Sequence, residues 1–310
     1  MKNLKKSTLI ITILSFLALF TSAKAEIKVV ASIKPIHSLA SYLMDGVAKP
    51  DLIVDGYSSP HGFPLKPSHA KMLQEADLIF WVGEDLENFM EKPLDSIAKK
   101  AEKIELMEIK GLNKLKFRER NIFGDHDDHD DHDDHDGHEG HHHGEFDPHI
   151  WLDPMNAKVI LNEMAEHLIE NDAKNASKYK SNLKKALKDI DKLVSNVSSE
   201  LNQSVASIVF HDAYQYFEKR FDVNILGAFT VNTDVMPGAE QLAEIREIIE
   251  HDKVACVFSE PQFNPDIIKA VAKDMNIKTG VVDPLGATLD PGKDLYFNLI
   301  KNMSSSFKGC

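Results

Sequence analysis

Histidine and aspartate dominate one segment of the chain. Residues 125–145 read DHDDHDDHDDHDGHEGHHHGE and hold eight of the 15 histidines together with ten acids. Imidazole nitrogens are good ligands for Zn, Cu and Ni, and carboxylates attract any divalent cation. A linker that only has to stay solvated does not need a histidine at every third position, so the composition favours a metal-binding tract. Its histidines are His126, His129, His132, His135, His138, His141, His142 and His143.

The same tract lacks any apolar side chain. It therefore cannot bury enough surface to offset the entropy lost on ordering, and we predict a disordered loop. The residues of the loop do not specify which metal they prefer. A solvated acidic linker is the alternative interpretation.

Four further side chains could form a more compact site. His211 and Asp283 directly follow apolar runs, His61 lies in a Gly/Ser/Pro loop after another such run, and His149 stands in DPHIWLDP just after the tract. Ligands gather at the carboxyl ends of the strands in an open parallel sheet. These side chains are therefore expected to converge in a cleft, where three nitrogen ligands and one oxygen ligand suit tetrahedral Zn²⁺.

Several residues compete for these roles. His37 follows the first apolar run, and Glu260 in SEPQF is a second carboxylate at a strand end, for which a structural role is equally open. His167 and His251 fall within helical patterns, and His69 is expected early in a helix. Helical histidines of this kind most often sit on solvated or partly buried faces.

Short apolar runs alternate with helical stretches along the chain. Continuous apolar runs, without polar alternation, indicate parallel strands covered on both faces. Helical patterns at Ser68–Ala76 and Gly238–His251 give a repeated βα plan. The predicted strands are Ile27–Ala31, Leu52–Val54, Leu78–Val82, Ile104–Leu106, Ser207–Phe210, Val223–Leu226, Val254–Phe258 and Thr279–Val282.

One long helical region breaks the βα plan. Asp153-Pro154 is a good helix start, and a second apolar stripe runs from Lys174 to Asn202. That helix would span about 44 Å at 1.5 Å per residue, which suits a strut between lobes better than a coiled-coil partner helix. The predicted fold class is α/β, with two lobes that each contain a small parallel sheet flanked by helices and are joined by one long rigid helix. The lobes are 26–173 and 204–310, and the linking helix is 174–203.

The chain begins with a segment that is typical of a secretory signal peptide. A basic start precedes the apolar run from Leu9 to Phe20, and Ala23-Lys24-Ala25 supplies the small residues of a cleavage site. We predict that residues 1–25 are removed, with an uncleaved anchor as the alternative. No later run approaches the length of a membrane span. The cleavage site has no cysteine to which a lipid anchor could be attached. The mature protein is therefore expected outside the cytoplasmic membrane without stable membrane insertion.

Charge and cysteine usage narrow the function further. The formal net charge of −13 argues against a protein that binds nucleic acid through its phosphates. The two cysteines, Cys256 and Cys310, form an even pair that is a disulfide candidate in an oxidising compartment. Two free thiols are the alternative, and no CxxC spacing points to a metal site.

Six motifs, in order, resemble those of the zinc-binding ZnuA proteins. They are SSPHGFPLKPSHAKMLQEADLIFWVGEDLENFM, DPHIWLDP, IVFHDAYQYF, MPGAEQL, ACVFSEPQF and VVDPLG, and together they span the mature chain. ZnuA proteins are extracytoplasmic solute-binding components of zinc ABC transporters, in a metal-binding cluster that includes manganese binders and adhesins. The resemblance implies two α/β lobes joined by a long helix, a metal at the interface, and a His/Asp-rich loop before the second ligand.

The resemblance assigns His61, His149 and His211 to the metal site. Manganese-binding relatives tend to have a glutamate at the position of His211, so the histidine favours zinc. Some zinc members have a glutamate ligand before the first histidine, where this chain has Pro60. The fourth ligand is therefore expected to be Asp283 or a water. Cys256 and Cys310 match a disulfide of some zinc members.

These features together predict a monomeric periplasmic protein that is not an enzyme. It would capture Zn²⁺ between its lobes and deliver it to an ABC-type membrane permease with its cytoplasmic ATPase. A secreted zinc hydrolase would be the enzymatic interpretation, although the chain has no HExxH motif. A periplasmic zinc buffer, an adhesin and a manganese or iron importer are three further functions that a metal-binding chain of this kind could have.

Overall fold

The structure, a computed structural model, describes residues 26–123, 144–201, 205–233 and 235–310. The predicted signal peptide and all of the His/Asp tract except residues 144 and 145 lie outside these ranges. Parallel strands in the described residues form two four-stranded sheets. The strands are β1 Val29–Ile33, β2 Asp51–Val54, β3 Leu78–Trp81, β4 Glu102–Glu105, β5 Ser207–His211, β6 Ile225–Thr230, β7 Cys256–Ser259 and β8 Lys278–Val281.

The two sheets share one topology. Their strand orders are β2-β1-β3-β4 and β6-β5-β7-β8, and every pairing is parallel. The central strands β1, β3 and β5 are buried at every residue, as their continuous apolar sequences predict. β8 is an edge strand and is largely exposed. The α/β fold class with two small parallel sheets is therefore confirmed.

Helices connect the strands and cover both sheets. They are α1 Lys34–Leu43, α2 Pro67–Glu75, α3 Glu84–Ser96, α4 Pro154–Asn171, α5 Ala176–Glu200, α6 Gln215–Phe221, α7 Ala239–His251, α8 Asp266–Met275 and α9 Leu295–Lys308. Asp153 caps α4 as predicted, because its side chain accepts a hydrogen bond from the Met155 N–H at 2.8 Å. The predicted long helix is present as α5, whose 25 residues span about 37 Å.

The long helix α5 packs along its whole length instead of standing free between the lobes. It contacts α4, α1 and α9, so helices from both halves of the sequence form one layer. Asn182 donates to the carbonyl oxygens of Leu43 and Asp45. One apolar core cluster runs from the first sheet through this layer into the second lobe. Because interiors are close-packed, this shared core opposes hinge motion between the lobes.

Polar contacts add to the connection between the lobes. The buried Lys34, at the start of α1, donates to three carbonyl oxygens in the 286–289 loop at 2.9–3.3 Å. The Trp151 indole donates to the carbonyl oxygen of Pro284 at 2.8 Å. The loop after β8 is therefore held by the first lobe, next to the interface.

A disulfide joins Cys256 to Cys310 across a sequence separation of 54 residues. It connects β7 to the second residue after the end of α9. The prediction of a disulfide is confirmed, and the alternative of two free thiols was wrong.

Candidate metal centre

Three imidazoles meet where the two lobes face each other. His61 lies in the loop after β2, His149 precedes a 3₁₀ turn at the start of α4, and His211 is the last residue of β5. Their ring centroids are 4.9–5.6 Å apart. One nitrogen of each ring lies within 4.8 Å of the other two. A Zn²⁺ ion needs nitrogen atoms at about 2.0–2.1 Å, which small side-chain shifts achieve from this arrangement.

A buried carboxylate orients His149. Asp147 Oδ1 lies 2.7 Å from Nδ1 of His149 and also accepts a hydrogen bond from its backbone N–H at 2.9 Å. The second ring nitrogen, Nε2, is therefore left to bind a metal. A carboxylate behind a metal-binding histidine fixes its tautomer and raises its basicity. The sequence analysis missed Asp147, although the D-x-H spacing in DPHIW contains that signal.

Glu260 has the corresponding position behind His211. Its Oε2 lies 3.3 Å from Nδ1 of His211, and both residues are buried. The sequence left two roles open for Glu260, metal ligand or structural partner. Glu260 does not belong to the three-histidine group, so the geometry matches the structural role. Two of the three histidines are thus held from behind by carboxylates on neighbouring segments.

Asp283 is the predicted site residue that the structure does not bring into the group. Its carboxylate accepts hydrogen bonds from the backbone N–H groups of residues 285, 286 and 287 at 2.6–3.1 Å. It also accepts one from the Gln262 amide at 2.9 Å. Aspartate readily bonds to its own following backbone in a turn, and that local competition holds this carboxylate.

Three of the competing histidines lie away from the three-histidine group in the described structure. His37 Nε2 bonds to the Pro50 carbonyl oxygen at 3.0 Å, and His69 accepts from the Lys66 N–H at the start of α2. His251 is exposed at the end of α7. None of these residues belongs to a metal-ligand group among the described residues.

Burial and charge act differently on the two carboxylate-backed histidines. Burial, helped by the charge of His211, holds the pKa of His149 well below its ordinary value. Burial also lowers the pKa of His211, but Glu260, Asp212 and Asp147 outweigh it and the pKa is raised. Burial raises the pKa of Asp147 to about 7. His149 is therefore a neutral ligand at neutral pH, and because a metal-binding imidazole nitrogen must be deprotonated, a cation competes with protons for His211.

Two cavities adjoin the imidazoles, and all three histidines line both of them. The inner cavity of about 10 Å³ has mainly apolar walls and room for about one water or ion. The outer cavity of about 230 Å³ is lined by the same histidines and by the acids Glu84, Asp85 and Glu91. An acidic mouth raises the local concentration of cations.

The His/Asp tract is attached next to this mouth. Before the tract, Lys116 pairs with Phe146 in an antiparallel bridge, and Ile122 forms a second bridge to Gly227 on β6. At the end of the tract, Gly144 lines the outer cavity. Both attachment segments therefore lie at the lobe interface.

Two α/β lobes, each with a parallel sheet, and a group of three histidines between them define a two-lobed solute-binding protein for a metal ion. The family profile described as the periplasmic component A of the zinc-uptake complex, ZnuA, matches residues 29–310. The chain belongs to the ZnuA family. The resemblance seen in the six motifs is confirmed.

Relatives and solved structures agree with this assignment. The chain is 45% identical over 303 residues to the high-affinity zinc uptake system protein ZnuA of Brucella abortus (strain 2308), covering 91% of each chain. It is 35% identical over 293 residues to the Yersinia pestis protein of the same name, covering 92% of each. A zinc-bound ZnuA deletion mutant has the same fold, with a TM-score of 0.76 at 21% identity over 92% of this chain and 97% of that one. A manganese-bound periplasmic metal-binding protein from Candidatus Liberibacter asiaticus gives a TM-score of 0.73 at 19% identity, covering 91% and 98%.

Family membership decides between enzyme and binding protein. The family is a periplasmic component of a zinc-uptake complex, which makes it a solute-binding protein and excludes the hydrolase. Among the described residues, every helix is too short or too polar to span a bilayer.

Proposed function

We propose that this protein captures Zn²⁺ in the periplasm with His61, His149 and His211 and delivers it to the permease of an ABC transporter. The observation that carries the proposal is the convergence of three imidazole nitrogens within 4.8 Å at the lobe interface. Family membership supports zinc as the cargo. In this proposal residues 1–25 direct secretion, and the mature protein acts as a monomer. Its partner for import is the membrane permease, which is driven by a cytoplasmic ATPase.

Water is the fourth ligand that the contacts favour. Asp283 would have to give up hydrogen bonds to its own loop before it could reach an ion. The outer cavity reaches the same histidines and admits water. Three imidazoles with a water form a tetrahedral site that suits Zn²⁺ better than Mn²⁺, which prefers oxygen ligands.

The His/Asp tract is proposed to collect zinc weakly at the entrance. Its attachment beside the acidic mouth supports this role, because ions released from the tract would enter the outer cavity. The tight site and the weaker collecting sites would then be separate. A zinc buffer is the second candidate function, in which the tract itself holds most of the metal.

A competitive titration tests this division. The mature chain with all eight tract histidines replaced by asparagine is titrated with zinc and, separately, with manganese. We expect one tight zinc site to remain, several weaker equivalents to disappear, and manganese to bind weakly. The unmodified mature chain is the reference for stoichiometry. Loss of the tight site would contradict the proposal and favour the zinc buffer.

Asp147→Asn is expected to weaken zinc binding about 10–100-fold, because the neutral amide no longer supports His149 as a base. The side chain keeps its size, so the fold should be preserved. Competition with a chelator of known zinc affinity measures the change. Glu119→Gln is the control, since it removes one negative charge at an exposed position outside the tract. An equal loss of affinity in both variants would show that only long-range charge is involved.

A further inference from the structure

A second group of metal-ligating side chains lies away from the cleft. One ligand atom from each of Glu102, His167 and Glu170 lies within 4.8 Å of the other two. His167 and Glu170 are in the last turns of α4, three residues apart, and therefore on the same face of the helix. Glu102 is the first residue of β4, at the opposite end of the sheet from the strand ends that face the cleft.

Negative charge surrounds this imidazole. Glu102 Oε1 lies 2.8 Å from Nδ1 of His167, and Glu163 Oε1 lies 3.4 Å from Nε2. In the described part of the chain, no lysine or arginine forms an ion pair with these glutamates or with Glu170. Asn171 alone adds a neutral donor, to Glu102 Oε2 at 2.7 Å. Three carboxylates facing one imidazole leave an excess of negative charge that a divalent cation would neutralise.

The contact between His167 and Glu102 is not a good hydrogen bond. Nδ1 of His167 is buried and close to the carboxylate, but it has no hydrogen-bond partner with acceptable geometry. A buried ring nitrogen without such a partner is unfavourable unless another group binds it. Imidazole nitrogen and carboxylate oxygen are both zinc ligands, at about 2.0–2.2 Å.

We propose that Glu102, His167 and Glu170, with Glu163 beside them, form a second site for a divalent transition-metal cation. One nitrogen and two or three oxygens make a harder ligand set than three imidazoles, so this site binds zinc more weakly than the cleft. The site lies on the first lobe, at the opposite end of the sheet from the cleft. It links the end of α4 to the edge strand β4, and an ion bound there stabilises the native state by mass action. This inference does not depend on the proposed function.

The test uses the mature chain with the eight tract histidines replaced by asparagine, loaded first with one equivalent of zinc. Titration with further zinc is expected to show a second, weaker site. His167→Ala should weaken that second event at least about tenfold, and Glu170→Gln should weaken it by less. His251→Ala is the matched control, because His251 also follows a glutamate by four residues, Glu247, but belongs to no ligand group in the described structure.

A second measurement separates metal binding from a structural effect. In NMR spectra of the histidine rings, the signals of His167 should shift with the second equivalent of zinc and not with the first. Absence of a second binding event in the parent chain, or its persistence in His167→Ala, would overturn the proposal. Loss of the first, tight event with the second retained would instead count against the cleft function alone.

Discussion

His211→Ala is expected to lower the zinc affinity of the mature chain at least about 100-fold. Loss of one of three imidazoles removes a direct ligand, which should cost more than the 10–100-fold typical of losing an outer-shell partner. The substitution also leaves Glu260 buried without the ring that its Oε2 now contacts at 3.3 Å. Zinc competition against a chelator, in the chain that lacks the tract histidines, measures the effect on the cleft alone.

Two controls separate ligand loss from unfolding. His211 is buried, so its removal leaves a cavity, and the free energy of unfolding of the zinc-free variant must be measured as well. His211→Gln fills most of the space without an imidazole and should lose zinc to a similar degree. His251→Ala, at an exposed helix position, should bind zinc like the parent. Undiminished affinity in both His211 variants would remove this residue from the proposed site.

The strand-end positions made the histidine group predictable. His211 follows a continuous apolar run, and such a run has few structural alternatives to a buried parallel strand. His61 lies in the loop after β2, the edge strand of the first sheet, seven residues beyond the end of that strand. Because the carboxyl ends of parallel strands in two facing sheets lie together, the topology predicts the positions of two of the three imidazoles. No strand precedes His149, which was predicted from its place between the tract and the start of a helix and then again from the resemblance to the ZnuA family.

Local competition for hydrogen bonds was not predictable in the same way. Asp283 lies just beyond the end of β8 and His211 is the last residue of β5, yet the Asp283 carboxylate bonds to the backbone of its own loop. Asp147 was overlooked because its role depends on a turn that places it 2.7 Å from His149. Such contacts depend on loop conformation, which apolar periodicity does not encode.

The linking helix shows a related difference between pattern and packing. The apolar stripe predicted α5 and its approximate length, and a free strut between lobes was the simplest interpretation. In the structure, α5 packs against α1, α4 and α9, so the lobes share one core. The pattern identifies a buried face but not the partners that cover it. A shared core and carboxylate-backed histidines make a site that needs little rearrangement of the lobes on binding zinc.

Cys310→Ser is expected to lower the free energy of unfolding by about 4 kcal/mol. The disulfide closes a loop with a sequence separation of 54 residues, and the loss of unfolded-chain entropy for a loop of that length corresponds to about 4 kcal/mol at 25 °C. Position 310 is preferable for the test because Cys256 is fully buried and its removal would also leave a cavity. Denaturant unfolding of the zinc-free protein, monitored by circular dichroism, measures the change.

The effect of that substitution on zinc binding should be much smaller. Cys256 is the first residue of β7, whereas Glu260, which contacts His211, follows the last residue of the same strand. The disulfide therefore holds the far end of the strand and the tail, while the shared core and the Lys34 contacts hold the interface.

The Cys256→Ala/Cys310→Ala double variant serves as the control for a leftover thiol. A decrease of less than about 1 kcal/mol in the free energy of unfolding of both variants would mean that residual structure in the unfolded chain keeps its tail near residue 256 without the bond. A large loss of zinc affinity would mean that the order of the site depends on the tail.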